Sequence, residues 1–352
     1  MGPQLTTSKH RRLTMTTTNT TPVNNSPLPT GDVEARMLAK VIAATSIYIE
    51  FERDDTFDRH LDYFDLNRRA CIAGHGARQR ALYIMGESGT GKTKMVRHHL
   101  AKRKEFQPYQ NEAGHTINPV LFVETPAATN NTKSCAIATL AQLGISASDR
   151  ASEFKLYDLL KRQLKFQGIQ YIVFDEAQQI LRGAKAATVL KVQDVMKSLL
   201  QIEGHPVHII FVGTPALARF LDGDRQLANR SRVMRLLPLN PKKDMEFVKK
   251  VIHEVILRCE LTPGWGEHED VGARLVKAAS NSLGTLAEIL RDACFIVLKD
   301  GRKALTSKDL AIAYRERFGA LNSQNVFKAK PGAWENINPA KAVSDLVAEN
   351  EK

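Results

Sequence analysis

One short segment constrains the fold of this 352-residue chain more than any other feature. It reads Gly86-Glu87-Ser88-Gly89-Thr90-Gly91-Lys92-Thr93, follows an apolar run of strand length and precedes helical sequence that extends through Leu100. Glycines at these places let the backbone turn so that consecutive N–H groups face one anion, and the N-terminus of the next helix adds the positive end of its dipole. The segment therefore predicts a phosphate-binding loop within a strand–loop–helix unit.

The residue types in this loop indicate a nucleoside triphosphate. Lys92 is placed to reach the β and γ phosphates, and the Thr93 hydroxyl is placed to bind Mg²⁺. The alternative is a glycine-rich turn without a ligand, but every position of the motif is filled and both flanking elements are of the expected type. The predicted cofactors are ATP and Mg²⁺.

A second set of candidate site residues is a pair of acids that follows another apolar run. The run Ile169 to Phe174 ends in Asp175-Glu176, which matches a Walker B strand end. Asp175 is then a candidate for the Mg²⁺ shell, and Glu176 is a candidate general base that polarises the attacking water. The competing interpretation is that the two acids cap the N-terminus of the next helix.

Further candidates for phosphoryl-transfer chemistry lie downstream. Another apolar run ends in Gly213-Thr214-Pro215, so that Thr214 is placed to orient the lytic water or is a simple turn residue stiffened by proline. Arg230 and Arg232 precede the last apolar run. Either one is a candidate to stabilise charge on the nucleotide of a neighbouring subunit, although ordinary surface arginines would read the same way. Arg225 and Arg235 are weaker candidates.

Five apolar runs alternate with helical patterns, and this order predicts an α/β fold with a five-stranded parallel sheet flanked by helices. The runs are Ala81 to Met85, Pro119 to Val123, Ile169 to Phe174, His208 to Val212 and Val233 to Leu239. Beyond Pro241 the strand signal ends and four helical patterns follow, over 242–259, 269–280, 285–299 and 307–318. They predict a small α-helical lid domain after the sheet domain.

The predicted domain organisation has four parts. Residues 1–31 form a disordered arm, since they contain almost nothing to bury. An ATPase domain with N-terminal helices, the first capped by Asp32, spans 32–240, and the lid spans 241–318. The tail, 319–352, is polar and holds Trp334, which either anchors a partner protein or docks back onto its own domain.

Composition narrows the classes of protein that fit. Fifty basic and 38 acidic residues leave a formal net charge of +12, which favours a nucleic-acid partner without establishing one. No stretch is apolar enough to cross a membrane, and no secretory signal is evident. Four well-separated cysteines predict buried thiols rather than disulfides or a zinc module. The expected location is the bacterial cytoplasm, in association with the nucleoid.

Taken together, these motifs resemble those of AAA+ ATPases over about residues 35 to 318. The Asp175-Glu176-Ala177-Gln178 box, the Gly213-Thr214-Pro215 strand end and the segment Phe57 to Arg69 are similar to those of the transposition regulators TniB, TnsC and MuB. The resemblance implies an ATPase that assembles on double-stranded DNA as a ring or helical filament of identical subunits. It also implies that the assembly marks a target site and recruits or activates a transposase, together with a target-selection protein.

The resemblance also implies where DNA binds and where this chain departs from the pattern. Loops after the second strand and after Walker B would contact phosphates without reading bases, and ordinary solvated loops are the alternative. The candidate contacts are Thr132, Lys133, Arg182, Lys185 and Lys191. Many AAA+ lids carry an arginine three residues after a glycine, whereas Gly284 is followed there by Ala287 and the nearest substitute is Arg291.

Two other functions fit the same motifs. A helicase loader or replication-initiator-like ATPase has the same fold and nucleotide chemistry. A protein-remodelling ATPase that does not bind DNA is the third candidate, although the segment Thr125 to Ser134 contains no aromatic residue with which to grip a polypeptide.

Overall fold

The computed structural model describes residues 31–126, 131–266 and 269–341. The predicted N-terminal arm therefore lies outside the described residues except for Gly31, and so does the end of the C-terminal tail. Among the described residues, no helix is both long and apolar enough to span a membrane.

The centre of the molecule is a parallel sheet of five strands. Its strands, numbered along the chain, are β1 (Ala81–Gly86), β2 (Val120–Glu124), β3 (Tyr171–Asp175), β4 (His208–Gly213) and β5 (Ser231–Leu236). Their spatial order is β2-β3-β4-β1-β5. The predicted α/β fold and all five predicted strands are confirmed, although β5 begins two residues before the predicted run.

Helices cover both faces of the sheet. Those before the last strand are α1 (Asp32–Ser46), α2 (Glu52–Ile72), α3 (Lys92–Lys102), α4 (Thr132–Gln142), α5 (Glu153–Phe166), α6 (Ala186–Leu199) and α7 (Arg225–Asn229). Side chains alternate along each strand, so Leu82 and Ile84 of β1 pack with α2 and α3, whereas Tyr83 and Met85 pack with α4 to α6. This double burial explains why the inner strands β1, β3 and β4 are buried along their whole length, whereas burial alternates along the edge strands β2 and β5.

The second unit is a helical domain after β5. It contains α8 (Met245–Arg258), α9 (Val271–Ala278), α10 (Leu283–Lys299) and α11 (Ser307–Phe318). The bounds of α11 follow from local chemistry. Thr306 N donates to Asp309 Oδ2 at 2.9 Å in a reciprocal cap, and Gly319 ends the helix with a φ of 65°.

Two segments outside the predicted lid pack into its core. Ala44 of α1 is buried among the lid helices, so α1 packs on the lid although the sequence groups it with the ATPase domain. Trp334 is also buried there, 8% exposed, with the Arg274 guanidinium 5.5 Å from its ring centroid. Of the two alternatives for Trp334, the structure therefore shows docking onto its own domain, because an indole buries a large apolar area.

Two smaller expectations are corrected. Asp32 is the first helical residue of α1 and Gly31 is its N-cap, so Asp32 acts on the helix dipole rather than as the cap. Cys71 is only partly buried, whereas the other three cysteines are buried as predicted.

Candidate nucleotide site

The phosphate-binding loop lies where the sequence predicts it, between β1 and α3. Gly91 is the N-cap of α3 and has a φ of 86°, a left-handed conformation that residues with a β-carbon adopt at a cost. A β-carbon at Gly86 would lie 2.8 Å from the carbonyl oxygen of Leu236. The glycines at these two positions are thus required by backbone conformation and by close approach to β5.

The Lys92 side chain is buried within this loop. Its Nζ donates to the carbonyl oxygens of Gly86 and Glu87, both at 2.8 Å. Among the described residues it forms no ion pair, and burial lowers the pKa of Lys92 while Glu176 and Asp175 oppose that shift. A buried ammonium group that is satisfied only by neutral acceptors fits an anionic phosphate that would supply the missing charge.

Thr93 and Asp175 meet across the site. The Thr93 hydroxyl donates to Asp175 Oδ1 at 3.0 Å, so the end of β3 lies against the start of α3. Burial raises the pKa of Asp175, and the hydrogen bonds from Thr93 and from the Glu176 N–H act against that rise. This pair of oxygens beside a phosphate loop fits Mg²⁺, which is commonly held by one carboxylate, a hydroxyl and the phosphates themselves.

Glu176 and Thr214 stand at the ends of neighbouring strands. Glu176 has a φ of 52°, which is uncommon for a residue with a side chain and points to a local constraint at this position. Gln178 connects the two residues. It is the last residue of the Asp175-Glu176-Ala177-Gln178 box, and the sequence alone assigns it no role. Its Nε2 donates to Glu176 Oε2 at 2.5 Å, and its Oε1 accepts from the Thr214 N–H at 3.1 Å.

Sequence reasoning missed the apolar pocket beside the loop. Ile47 and Ile49, from the connection between α1 and α2, form one wall, and Phe247, Val251 and Leu283 of the lid form the other. Cations from three elements, Arg53, Lys94 and Arg291, line the same space. An apolar slot with cations at its edge suits the base and phosphates of a nucleotide. Helical periodicity predicts which of these residues are buried, but no local motif tells that they meet.

Two contacts close this pocket. Arg53 Nη1 donates to the carbonyl oxygen of Thr90 in the phosphate loop at 2.6 Å. The N–H of Gly284, at the start of α10, donates to the carbonyl oxygen of Gly89 at 2.6 Å. Ala287 does line the pocket one turn further on, and Arg291 lies there too, with its Nε donating to the Ala44 carbonyl at 3.0 Å.

Arg230 and Arg232 lie at the amino-terminal ends of the strands, opposite the phosphate loop, whereas Arg235 pairs with Met85 close to the loop. Arg230 caps the end of α7 and directly precedes β5. The start of β5 pairs with the start of β1, so Arg230 is about 17 Å, the length of β1, from the phosphate loop. Arg230 lines a surface pocket together with Arg78 and Arg80. When the Gln201 amide is oriented with its oxygen towards Arg230, that oxygen accepts from both terminal nitrogens of Arg230 at 2.8 Å. Arg230 therefore cannot reach the nucleotide of its own subunit.

The other arginines differ in exposure. The Arg232 guanidinium stacks on the Tyr63 ring, 3.7 Å from its centroid, which holds it against α2 of its own chain. Arg225 and Arg235 are exposed. The structure thus separates Arg230, held by a neutral amide with its charge uncompensated, from Arg232, held on an aromatic face.

The candidate DNA contacts divide into two groups. Arg182, Lys185 and Lys191 are exposed on the turn before α6 and on that helix. The prediction that Thr132 and Lys133 belong to a loop is corrected, because the Asn131 side chain accepts from the Ser134 N–H and starts α4 there. Thr132 is buried, 4% exposed, so its hydroxyl is not presented on the surface, whereas Lys133 is partly exposed.

The comparisons with known proteins bear on this site. The sequence model of the family described as bacterial TniB protein matches residues 69–240. The predicted resemblance to TniB is confirmed. The matched stretch contains all five strands of the sheet, the phosphate-binding loop, Asp175-Glu176 and Thr214. No curated protein matches the chain.

Solved structures with the same fold include three proteins that are each 14% identical to this chain, with a TM-score of 0.53. ORC2 of Aeropyrum pernix, in ADPNP–ADP complexes, is matched over 88% of this chain and 89% of its own. Cdc6p of Pyrobaculum aerophilum is matched over 88% and 85%, and ORC1 of Aeropyrum pernix, in complex with DNA, over 83% and 72%. At 14% identity this structural likeness establishes the fold alone, and the predicted AAA+ fold is confirmed.

Proposed function

We propose that this chain is an ATP-dependent, DNA-binding regulator of transposition. In this proposal it assembles on double-stranded DNA in the ATP form, marks a target site and recruits or activates a transposase, alongside a target-selection protein. ATP hydrolysis then dissolves the assembly. The observation that carries the proposal is that the TniB match covers the stretch in which the phosphate loop, the Walker B pair and Thr214 converge.

Each site residue has a role in the proposed hydrolysis. The N–H groups of the loop and Lys92 bind the β and γ phosphates, and Thr93 and Asp175 hold Mg²⁺, which would neutralise charge that develops on those phosphates. Glu176 accepts a proton from the attacking water, which Thr214 helps to orient. Arg230 stabilises the transferring phosphoryl group of a neighbouring subunit, and Arg232 is the alternative for that role.

Contacts with DNA are proposed for exposed cations near the carboxyl edge of the sheet. Lys133 follows β2, and Arg182, Lys185 and Lys191 follow β3, while Glu124 and Asp175 at the ends of these strands are register partners. Both segments therefore leave the same edge of the sheet. Isolated cations on one surface suit phosphate contacts that are independent of base sequence, in an oligomer that forms a ring or helical filament.

The test is assembly on duplex DNA. Electron microscopy monitors the assembly, and phosphate release measures ATP hydrolysis. The wild-type protein should form rings or filaments with ATP and DNA but not with ADP. Lys92→Ala should bind no nucleotide and should not assemble, because the buried cation that faces the phosphates is gone. Glu176→Gln should bind ATP, hydrolyse it about 100-fold more slowly and keep the assembly on DNA.

Lys104→Ala is the matched control, because Lys104 is an exposed lysine just after α3. The substitution removes the same charge and leaves the site unchanged. It should behave as wild type. Normal ATP affinity in Lys92→Ala would contradict the phosphate-loop assignment. Assembly that is indifferent to DNA and nucleotide would contradict the transposition function while leaving the ATPase assignment open to its own measurement.

A further inference from the structure

The Gln178 side chain spans the gap between the ends of β3 and β4. The sense of its two hydrogen bonds follows from the Thr214 N–H, which can only donate and so requires the amide oxygen on its side and the amide nitrogen on the Glu176 side. The amide nitrogen therefore faces Glu176 and the amide oxygen faces Thr214. One neutral side chain thus ties the candidate base to the backbone of the candidate water-orienting residue.

The surrounding backbone is shaped to admit this side chain. A β-carbon at Gly213 would lie 2.1 Å from Gln178 Oε1, so the close approach needs a glycine at the end of β4. The backbone φ of Gly213 is not in the left-handed region, and the requirement is therefore one of space. On the other side, Glu176 adopts its left-handed conformation and leads directly into the short 3-10 helix Ala177–Leu181 that carries Gln178.

We infer that Gln178 is a positioning residue for ATP hydrolysis, which holds the Glu176 carboxylate in a fixed place relative to Thr214. The inference rests on the proposed ATPase function. Without the Nε2 donor the Glu176 side chain is free to rotate away from the attacking water, and loss of orientation at a reacting centre lowers kcat far more than it lowers substrate affinity. Gln178 itself need not touch the nucleotide.

Two substitutions separate positioning from a structural role. Gln178→Met removes both hydrogen bonds, whereas Gln178→Glu keeps an acceptor for the Thr214 N–H but sets a like charge against Glu176. Positioning predicts that kcat falls about 10-fold in Gln178→Met and about 100-fold in Gln178→Glu, with ATP affinity unchanged in both. A structural role predicts the reverse order, because only the glutamate keeps the bond to β4.

A double-mutant cycle with Glu176→Gln completes the test. In that background no carboxylate remains to be oriented, so both Gln178 variants should turn over at the same residual rate as Glu176→Gln alone. Gln179→Met is the matched control, since Gln179 is the next residue of the same short helix and its side chain makes no described hydrogen bond to Glu176 or Thr214. Its backbone N–H donates to the Glu176 carbonyl oxygen at 3.0 Å, and the substitution leaves that bond in place. It should keep wild-type kcat.

Specific results would overturn the inference. Wild-type kcat in Gln178→Glu, a larger loss in Gln178→Met than in Gln178→Glu, or the same fold loss in the Glu176→Gln background would each do so. A wild-type protein that hydrolyses no ATP would instead refute the proposed function, and the two failures are therefore distinguishable.

Discussion

At the scale of single residues, one buried histidine is connected by hydrogen bonds to a residue that lines the candidate nucleotide pocket. His99 of α3 is fully buried, and its two ring nitrogens lie 2.7 Å from Asp54 and 2.8 Å from Asp58, both on α2. Asp54 also accepts from the hydroxyl of Tyr48, which lines the pocket. Both ring nitrogens thus have acidic partners, an arrangement that favours an imidazolium ion.

The pKa values of this cluster follow from its geometry. Burial of the ring tends to lower the pKa of His99, but the hydrogen bonds to Asp54 and Asp58 outweigh it and the pKa is raised. Burial also acts to raise the pKa of Asp54, yet the bonds from His99 and Tyr48 leave it lowered. The pair therefore stabilises the fold from the acid range that protonates Asp54 up to the raised pKa of His99.

We expect His99→Leu to lower the free energy of unfolding by about 3 kcal/mol near pH 6, because it leaves two carboxylates without their buried partner. The difference from wild type should shrink as pH rises through the raised pKa of His99, since the neutral ring loses its advantage in the folded state. Urea unfolding at several pH values measures this. His98→Leu, at the neighbouring and partly exposed position, should show a smaller loss, and a His99 effect that is constant from pH 6 to pH 10 would contradict the charged pair.

At the scale of elements, the start of α10 is locked to the phosphate-binding loop. Gly284 and Gly89 share a backbone hydrogen bond, and a β-carbon at Gly284 would lie 2.7 Å from the Gly89 carbonyl oxygen and 3.2 Å from its α-carbon. Because those atoms are backbone, they cannot move aside cheaply. The glycine that the sequence relates to a missing lid arginine thus has its own role, which is to let the lid touch the loop.

Gly284→Ala should therefore displace α10 from the loop and weaken ATP binding about tenfold, because Leu283 and Ala287 would leave the pocket wall. Titration with a fluorescent ATP analogue measures the affinity. Gly266→Ala is the matched control, as Gly266 is a lid glycine with open space around its α-carbon. Equal affinities in the two variants would show that the contact between lid and loop does not support nucleotide binding.

At the scale of the whole molecule, three arginines meet at the amino-terminal ends of the strands, away from the phosphate loop. Arg230 lies at the far edge of the sheet with Arg78 and Arg80, and no ion pair among the described residues neutralises any of the three. Converging cations without a counter-charge are stabilised when an anion from outside fills the pocket. In the proposed ring or filament, a neighbouring subunit would bring its ATP phosphates to these arginines.

Mixing two slow variants tests this arrangement. Arg230→Ala should hydrolyse ATP about 1000-fold more slowly, and Glu176→Gln, which is expected to be about 100-fold slower, keeps Arg230. At equal amounts, about a quarter of the interfaces should join an intact base to an intact arginine, so activity should return. Phosphate release measures it, with Arg258→Ala, an exposed lid arginine, as the control. A mixture no faster than its separate components would mean that Arg230 does not act in trans.

The sequence by itself determined the strands, the phosphate loop and the Asp175-Glu176 pair, because each is a local pattern whose meaning does not depend on distant residues. Short apolar runs that alternate with helical patterns indicate the strands of a parallel sheet, and a loop of that composition between strand and helix indicates an anion-binding site. Tertiary structure decided the rest, since it required knowing which elements meet. The pocket walls come from residues about 200 positions apart, Gln178 matters because β4 ends in a glycine beside it, and Thr132 is buried because Asn131 starts α4 early.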